Sequence, residues 1–160
     1  MAELPEVKLV PLNLHNWETV LSLKPRPEQV EFLPDTLHSI ALSRFDGSEP
    51  LGIEHNQLMV GYLQWAKWSG VYWITRILVD QAYQGLGLGK AALIQLLDQF
   101  AAHKNAYEVR TTVAIKNGMG EYLFFAQGFE RTMELENREV VLKLDLAVYR
   151  KRRQRERSGF

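Results

Sequence analysis

A glycine-rich segment between a strand pattern and a helix pattern constrains the fold most strongly. Residues 71–79 (VYWITRILV) are mostly apolar, β-branched and aromatic, which predicts a central strand over Val71–Val79. Residues 88–102 have apolar side chains at helical spacing and predict a helix over Leu88–Ala102. The connection contains QGLGLGK, residues 84–90. Because glycines allow sharp turns and a helix N-terminus presents unpaired amides with partial positive charge, this connection predicts an anion-binding loop.

The spacing of these glycines excludes two common phosphate-binding motifs. The dinucleotide pattern G-x-G-x-x-G fails because Lys90 stands at the third glycine position when Gly85 and Gly87 are the first two. The nucleoside-triphosphate loop fails because G-x-x-x-x-G-K-[ST] is absent. A glycine-rich turn without any ligand is the alternative at this point.

The other strand and helix patterns predict a mixed α+β fold. The further predicted strands are Val7–Val10, Gly52–Glu54, Leu58–Trp65, Val109–Ile115, Glu130–Glu134 and Glu139–Leu146. The further predicted helices are Asn16–Leu23, Pro34–Arg44 and Met119–Ala126. The apolar face of the second of these is predicted at Leu37, Ile40 and Ala41. Tight turns are predicted at His55-Asn56, Ser69-Gly70 and Glu136-Asn137.

Length and composition are those of one ordinary globular domain. The chain has 160 residues, 46% of them hydrophobic, and we expect a single domain over residues 1–149 with a basic tail over 150–160. Cysteine is absent, which excludes disulfides and thiolate metal sites and fits a reducing, cytoplasmic location. The four histidines lack metal-ligand spacing, so no metal is expected. The longest stretch without Asp, Glu, Lys or Arg is too short to span a membrane, and the N-terminus does not look like a signal peptide.

The net charge of zero hides an uneven distribution. Residues 150–157 contain six basic residues and Glu156, a local charge of +5, which leaves −5 on the rest of the chain. An acidic body attracts cationic small molecules, and an ordinary solvated surface is the alternative. The basic tail lacks an aromatic stacking platform, which favours a solvated tail over contact with nucleic acid.

Two motifs resemble those of one enzyme family. The spacing Gln84-x-x-Gly87-x-Gly89 resembles the coenzyme-A-binding motif [QR]-x-x-G-x-[GA] of the GNAT superfamily of N-acetyltransferases. Residues 117–129 resemble the family's N-x-x-A-x-x-L-Y-x-x-x-G-F, with Gly120 in place of the alanine. Residues 73–89 and 27–33 look most like bacterial spermine/spermidine acetyltransferases. The resemblance implies the GNAT (acyl-CoA N-acyltransferase) fold, an α+β fold whose mixed central sheet has a splayed strand pair and helices on both faces.

The resemblance also implies where acetyl-CoA, the cosubstrate, is bound. It would lie in a V-shaped opening between the strand ending at Val79 and the strand ending near Asn117. A bulge in the first strand would free backbone groups near Leu78 and Val79 for the pantetheine arm and the acetyl carbonyl. The coenzyme-binding residues implied in this way are Leu78, Val79, Gln84, Gly85, Leu86, Gly87, Leu88, Gly89, Lys90, Asn117 and Phe124.

Two positions depart from the family's catalytic pattern. Polyamine acetyltransferases of this family often have a carboxylate where this chain has Thr75, and the family's usual acid, a tyrosine, is replaced by Phe124. Tyr122 would point about 200° away from that position on a helix, so it is a poor substitute. The catalytic residues are therefore unassigned, with Glu31 and Tyr122 as candidates. The candidate bases are Glu31, Asp35, Asp80 and Glu121, and a water chain that reaches the surface is the alternative.

These features predict an enzyme that moves an acetyl group from acetyl-CoA to a primary amine. The resemblance points to a polyamine such as spermidine or spermine, with direct attack in a ternary complex. Glu31 and Asp35 lie in the segment that covers the acceptor site in this fold, so they are expected to bind the cationic amine. The two departures leave an alternative, an acyl-CoA-binding protein of this fold with little catalysis and a regulatory or sensor role. Dimers are common in the family, so the resemblance is compatible with a homodimer.

Overall fold

The computed structural model describes residues 3–32 and 35–159, which contain seven strands and five α-helices. The strands are β1 (Lys8–Pro11), β2 (Glu49–His55), β3 (Leu58–Trp68), β4 (Val71–Val79), β5 (Glu108–Ala114), β6 (Glu130–Glu136) and β7 (Glu139–Asp145). The helices are α1 (Trp17–Leu21), α2 (Thr36–Asp46), α3 (Leu88–Ala101), α4 (Gly118–Phe125) and α5 (Leu146–Arg157). Two short 3₁₀ helices cover Pro27–Phe32 and Gln81–Tyr83. No helix in the described ranges is long and apolar enough to cross a membrane.

The chain forms two compact units, one of residues up to 66 with 74–95, the other of 67–73 with the residues from 96 onward. In the first unit the strands follow the order β1-β2-β3-β4, and the pairs β1–β2 and β2–β3 are antiparallel. A core cluster joins Val20 and Leu23, at and just after α1, to Tyr62 of β3 and Leu78 of β4. Burial of these side chains fixes the end of β4, from which the glycine-rich segment leaves.

Three two-residue turns have left-handed backbone at both positions, at Asn56-Gln57, Ser69-Gly70 and Asn137-Arg138. The prediction is confirmed for Ser69-Gly70, and it is wrong by one residue for the other two. Strand pairing continues through His55 opposite Leu58 and through Glu136 opposite Glu139, which moves each turn one position later. Two-residue hairpin loops of this type need positive φ at both central residues, which asparagine tolerates better than most residues.

Helix α2 buries polar residues and exposes apolar ones, so its predicted apolar face is wrong. Leu37 is 51% exposed and Ala41 is exposed as well, whereas Thr36 and Ser39 are buried. The reason is Arg76 on β4, whose guanidinium donates hydrogen bonds to both buried hydroxyls. The polar side of the helix therefore faces the sheet.

The start of α2 is set by a side-chain cap. The Oδ1 atom of Asp35 accepts a hydrogen bond from the Leu37 amide at 2.8 Å, and the helix begins at Thr36. The predicted start at Pro34 lies outside the described residues. Ile40 is the one member of the predicted apolar face that packs against the core cluster.

The second unit contains a three-stranded antiparallel sheet in the order β5-β7-β6. Asp145 caps α5 by accepting hydrogen bonds from the amides of Ala147 and Val148. The helix runs through residue 150, where the basic tail is expected to begin. Arg150 donates to three backbone carbonyls, of residues 101, 103 and 106, and Arg153 donates twice to Asp98. Arg157 also donates to Asp98, at 3.3 Å, so at least three of the six basic residues are tied to the end of α3 and the residues that follow it.

Candidate functional site

The glycine-rich segment leaves β4 and enters α3 with two left-handed glycines. Gly85 has φ +81° and Gly87 has φ +80°, a conformation that residues with a Cβ rarely adopt. A Cβ added at Gly85 would meet no heavy atom within 4 Å, and one at Gly87 would meet only Pro5, at 3.5 Å. The backbone of this segment therefore faces open space, and a side chain at either position would fill it.

The first turn of α3 adds hydrogen-bond donors to this open backbone. The amide of Ala91 donates to the Gly87 carbonyl at 3.0 Å, so the helical ladder starts there. The amides of Leu88, Gly89 and Lys90 come before Ala91 in the chain, so the helix itself offers them no acceptor. Together with the positive end of the helix dipole, these donors fit an anion such as a pyrophosphate.

The side chains of this segment divide between the core and the solvent. Leu88 is 1% exposed and packs inside the first unit, whereas Leu86 is 59% exposed and the Lys90 side chain is also exposed. A Cβ at Gly89 would lie 3.3 Å from the side chain of Val79, so the glycine lets α3 begin close to the end of β4. The three glycines of the motif therefore have two roles. Gly85 and Gly87 leave the backbone accessible, and Gly89 allows close packing against β4.

Gln84, the first residue of the motif, directs its side chain toward the protein. Its Nε2 atom donates to the Val79 carbonyl at 2.9 Å and to Oε1 of Gln29 at 2.8 Å. The Val79 carbonyl, which the resemblance implies as a contact of the pantetheine arm, is therefore already bonded within the chain. Sequence reasoning identified Gln84 and missed Gln29, since only the fold brings these two positions together.

The end of β4 approaches β3 closely. A Cβ added to Gly61 would lie 2.6 Å from the Leu78 carbonyl oxygen, so only glycine fits at this position of β3. Just beyond the strand, the Asp80 amide donates to the Val60 carbonyl at 2.8 Å. The predicted bulge near Leu78 and Val79 stays a prediction.

The central strand has no acid at the position where polyamine enzymes often place one. Thr75 is exposed, and its hydroxyl donates to the Gln64 carbonyl at 3.2 Å.

The neighbouring residue of this strand is a buried cation. Arg76 is only 6% exposed; it donates to Ser39 at 2.7 Å and to Thr36 at 3.1 Å. Burial lowers the pKa of this guanidinium, although nearby negative charge acts in the opposite direction. Sequence reasoning missed this buried cation, whose only signal is one arginine in an otherwise apolar run.

The other carboxylates proposed as bases are mostly engaged in the fold. Asp80 accepts hydrogen bonds from the amides of Lys24 and Ala82, and Asp35 caps α2. Glu121 is 4% exposed, and the guanidinium of Arg131 donates to it. Glu31 is exposed on the 3₁₀ helix Pro27–Phe32. Within residues 3–32 and 35–159 no group of three His, Cys, Asp or Glu side chains is placed to hold a metal ion.

In the second unit, Asn117 caps helix α4. Its Oδ1 atom accepts a hydrogen bond from the Gly120 amide at 3.0 Å. A Cβ at Gly120 would lie 2.5 Å from Nδ2 of Asn117, so an alanine there would displace the asparagine side chain. The departure from the family's alanine is therefore matched to the position of Asn117.

The two aromatic residues considered on α4 point in different directions. Phe124 is 4% exposed and lies edge-to-face with Phe129, with 5.2 Å between ring centroids. Tyr122 is 75% exposed, which agrees with its expected position on the opposite side of the helix. Phe124 therefore presents little surface to a ligand, and a catalytic role of Tyr122 stays a prediction.

Comparison with known proteins identifies a family and a fold. The family model for the acetyltransferase (GNAT) family matches residues 13–129. No curated protein matches the chain. An aminoglycoside acetyltransferase solved with coenzyme A has a TM-score of 0.79 at 18% identity, covering 92% of this chain and 99% of that one. The spermidine N-acetyltransferase of Vibrio cholerae, solved with coenzyme A and spermine, has a TM-score of 0.70 at 14% identity, covering 89% and 97%. A PaiA N-acetyltransferase of Thermoplasma acidophilum, solved with coenzyme A, has a TM-score of 0.68 at 14% identity, covering 88% and 99%.

These matches confirm the predicted fold class and the resemblance read from the two motifs. The family match spans most of the chain, including the whole 84–90 segment and residues 117–129. At the level of the family it confirms an acetyl-CoA-dependent N-acetyltransferase. The chain belongs to the acetyltransferase (GNAT) family.

Proposed function

We propose that this protein transfers the acetyl group of acetyl-CoA to a primary amine of a small cationic molecule, by direct attack in a ternary complex. The observation that carries the proposal is the open backbone of residues 84–90 at the start of α3. When bound, acetyl-CoA supplies an activated acetyl thioester. In the overall reaction the amine loses a proton and gains the acetyl group, and free coenzyme A thiol is the second product.

The coenzyme would be held mainly by backbone groups. The amides of Leu88, Gly89 and Lys90 donate to the pyrophosphate oxygens, and the open positions of Gly85 and Gly87 leave room for them. The side chains of Leu86 and Lys90 are exposed, and Lys90 adds positive charge to this segment. Gln84 has a positioning role, since its side chain holds the loop rather than the ligand.

Asn117 and Phe124 have different parts in this proposal. Asn117 uses Oδ1 for the α4 cap and keeps its Nδ2 donor for a carbonyl of the pantetheine arm. Phe124 supports the helix from inside the second unit and supplies no proton to the leaving thiolate. A thiol has a pKa of about 8.5, so water can supply that proton at a slower rate.

The amine would be recognised by the exposed carboxylate of Glu31. Asp80 and Glu121 are engaged in a cap and an ion pair, and Asp35 uses only Oδ1 for its cap. An alkylamine with a pKa of about 10.4 is almost fully protonated at pH 7, and a carboxylate both attracts such a cation and can accept its proton. We propose that Glu31 does this and that the second oxygen of Asp35 adds negative charge beside it.

Two solved structures of this fold support a cationic amine as the acceptor class. One is a spermidine N-acetyltransferase with spermine bound, and another is an aminoglycoside acetyltransferase. Spermidine, spermine and aminoglycosides each carry more than one amino group, so all of them are cationic at neutral pH. The acidic balance of residues 1–149 suits such molecules through long-range attraction.

A second candidate function is coenzyme binding with little catalysis. Thr75 and the buried Phe124 favour it, because neither side chain can act as the base or the acid that the family uses at these positions. This protein would bind acetyl-CoA and would release thiol slowly or only by hydrolysis.

One experiment separates the two functions. Thiol release from acetyl-CoA is measured with spermine, spermidine, lysine, an aminoglycoside and a peptide N-terminus, and acetyl-CoA binding is measured in parallel. Amine-dependent release supports the transferase, and release with the polyamines alone supports the narrower substrate class. Tight binding without release in any mixture favours the binding protein, and absence of binding contradicts both.

A further inference from the structure

The hydrogen bond between Gln84 and Gln29 joins the proposed coenzyme loop to the segment that precedes α2. We propose that Gln29 is a positioning residue that couples these two parts, so that coenzyme binding at residues 84–90 orders residues 24–32 and raises affinity for the amine. The inference rests on the proposed function, since it takes residues 84–90 as the coenzyme loop and Glu31 as the amine contact.

One oxygen of the Gln29 side chain accepts two hydrogen bonds. Its Oε1 atom accepts from Nε2 of Gln84 at 2.8 Å and from the backbone amide of Arg26 at 3.1 Å. The second Gln84 donor hydrogen goes to the Val79 carbonyl at the end of β4. A continuous path of hydrogen bonds thus leads from β4 through the motif glutamine to the 3₁₀ helix Pro27–Phe32.

A second connection holds the other end of the same segment. The Lys24 amide donates to Oδ1 of Asp80 at 2.8 Å, and the Gln81 amide donates to the Lys24 carbonyl at 2.7 Å. Asp80 also accepts from the Ala82 amide, which starts the short helix before the loop. The segment is therefore fastened at Lys24 and at Gln29, in both cases to residues immediately around the loop.

These two connections matter because the segment has little else to hold it. No residue of Pro27–Phe32 is buried, and Val30, its apolar side chain, is 59% exposed. Segments with few buried apolar contacts are the first to open locally in a native protein. The order of residues 27–32 therefore depends on polar contacts, and Gln29 makes the contact nearest to Glu31.

The coupling acts in both directions. If coenzyme fixes residues 84–90, the side-chain amide of Gln84 is fixed as well. Its hydrogen bond to Gln29 then holds residues 27–32 in place. By linkage, amine bound at Glu31 then raises coenzyme affinity by the same factor that coenzyme raises amine affinity. An enzyme with this coupling favours the ternary complex over either binary complex.

The test uses two substitutions at one position and one beside it. Gln29→Met removes the accepting oxygen and keeps the length of the side chain, whereas Gln29→Glu keeps an oxygen that can accept from both donors. Glu28→Gln is the matched control, because Glu28 is exposed on the same 3₁₀ turn. Hydrogen exchange of the full chain is measured with and without saturating coenzyme A, which needs no knowledge of the amine.

The expected result is a difference between two segments. In the unaltered protein, coenzyme A slows exchange at residues 84–90 and, by about 5-fold or more, at residues 27–32. In Gln29→Met the first protection persists and the second is lost, and in Gln29→Glu and Glu28→Gln both persist. Equal protection of residues 27–32 in Gln29→Met overturns the coupling, as does protection confined to the loop in the unaltered protein. If coenzyme A protects neither segment at any concentration, the proposed function fails and the coupling with it.

A kinetic measurement extends the test to the reaction. With spermine as the probe, Gln29→Met is expected to raise the amine KM by on the order of 5-fold with little change in kcat, the size typical of coupling between sites. Gln29→Glu is expected to restore the lower KM. A fall in kcat alone, with KM unchanged, would contradict a positioning role. These assays apply if spermine is turned over, and the hydrogen-exchange result stands without them.

Discussion

The proposed coenzyme loop and the proposed acceptor-side residues would contact their ligands through different parts of the chain, the backbone in one case and side chains in the other. In residues 84–90 the groups available to a ligand are backbone amides and the space above two glycines. On the proposed acceptor side, recognition would depend on side chains, those of Glu31 and Asp35, and the side chains that the family uses for catalysis are replaced at Thr75 and Phe124. A backbone site depends on which positions can adopt positive φ, whereas a side-chain site depends on the functional group at each position.

The largest expected effect tests the backbone part of this comparison. Gly87→Glu places a charged side chain into the open space and strains a backbone at φ +80°. Coenzyme binding is expected to weaken by more than about 100-fold, because at least two charge-assisted hydrogen bonds would be lost. Calorimetric titration with acetyl-CoA measures it. Gly47→Glu is the matched control, since Gly47 has φ +77° at the end of α2 and a Cβ there would meet no heavy atom within 4 Å. Similar loss of affinity in both variants would show that strain, and not the site, causes the effect.

The next effect tests the side-chain part. Glu31→Gln removes the proposed amine contact and is expected to lower kcat/KM for spermine by about 10-fold or more, the lower range for loss of an acid–base group. Glu28→Gln removes an exposed carboxylate on the same 3₁₀ helix that is not proposed to contact the amine, so its kcat/KM is expected to change less than about 3-fold. Steady-state kinetics compare the two variants. Equal effects of the two substitutions would remove Glu31 from the site.

A third prediction concerns a carboxylate that serves packing alone. Burial by itself raises the pKa of Asp98. Hydrogen bonds from Arg153 and Tyr149 contribute to a larger shift in the opposite direction, so the pKa of Asp98 is lowered overall. A group whose pKa is lower in the folded state stabilises the fold above its unfolded pKa of about 3.9 and loses that contribution as the pH falls through the folded pKa. Urea unfolding at pH 7 and pH 3 should therefore show a smaller loss of stability for Asp98→Asn than for the unaltered protein. Equal losses would show that α5 is not anchored through this carboxylate.

The smallest effect compares two glycines in the first turn of α4. Gly118→Ala meets open space and is expected to stabilise the protein by up to about 1 kcal/mol, the difference in helix propensity. Gly120→Ala would place its Cβ 2.5 Å from the Asn117 side chain, so loss of the cap, about 1 kcal/mol, offsets the same gain. Thermal unfolding measures both variants. If Gly120→Ala stabilises as much as Gly118→Ala, the asparagine does not depend on this glycine.

Much of the site region can be predicted from the sequence because its signals are local. The predicted strand Val71–Val79 has the same bounds in the structure, and the helix after the loop begins at Leu88 as predicted. The glycine spacing indicates the loop because positive φ is a property of single residues. The family match then confirms the resemblance to which this motif points.

The remainder depends on contacts between distant positions. The inverted face of α2 follows from Arg76, which lies about forty residues further along the chain, at a position that pattern alone assigns to the core. The direction of the Gln84 side chain depends on Gln29 in the same way. Periodicity and motif spacing describe neighbours along the chain, so neither pairing is visible before the strands are assembled.

The most direct test of the central claim compares pantetheine with 4′-phosphopantetheine, which differ only by the phosphate that begins the pyrophosphate of coenzyme A. If the amides at the start of α3 hold this group, at least one charge-assisted hydrogen bond should make 4′-phosphopantetheine bind about 10-fold or more tightly than pantetheine. Titration calorimetry of the unaltered protein with each ligand gives this ratio directly. A ratio of this size supports a backbone phosphate site in residues 84–90, and equal affinity for the two ligands would contradict it.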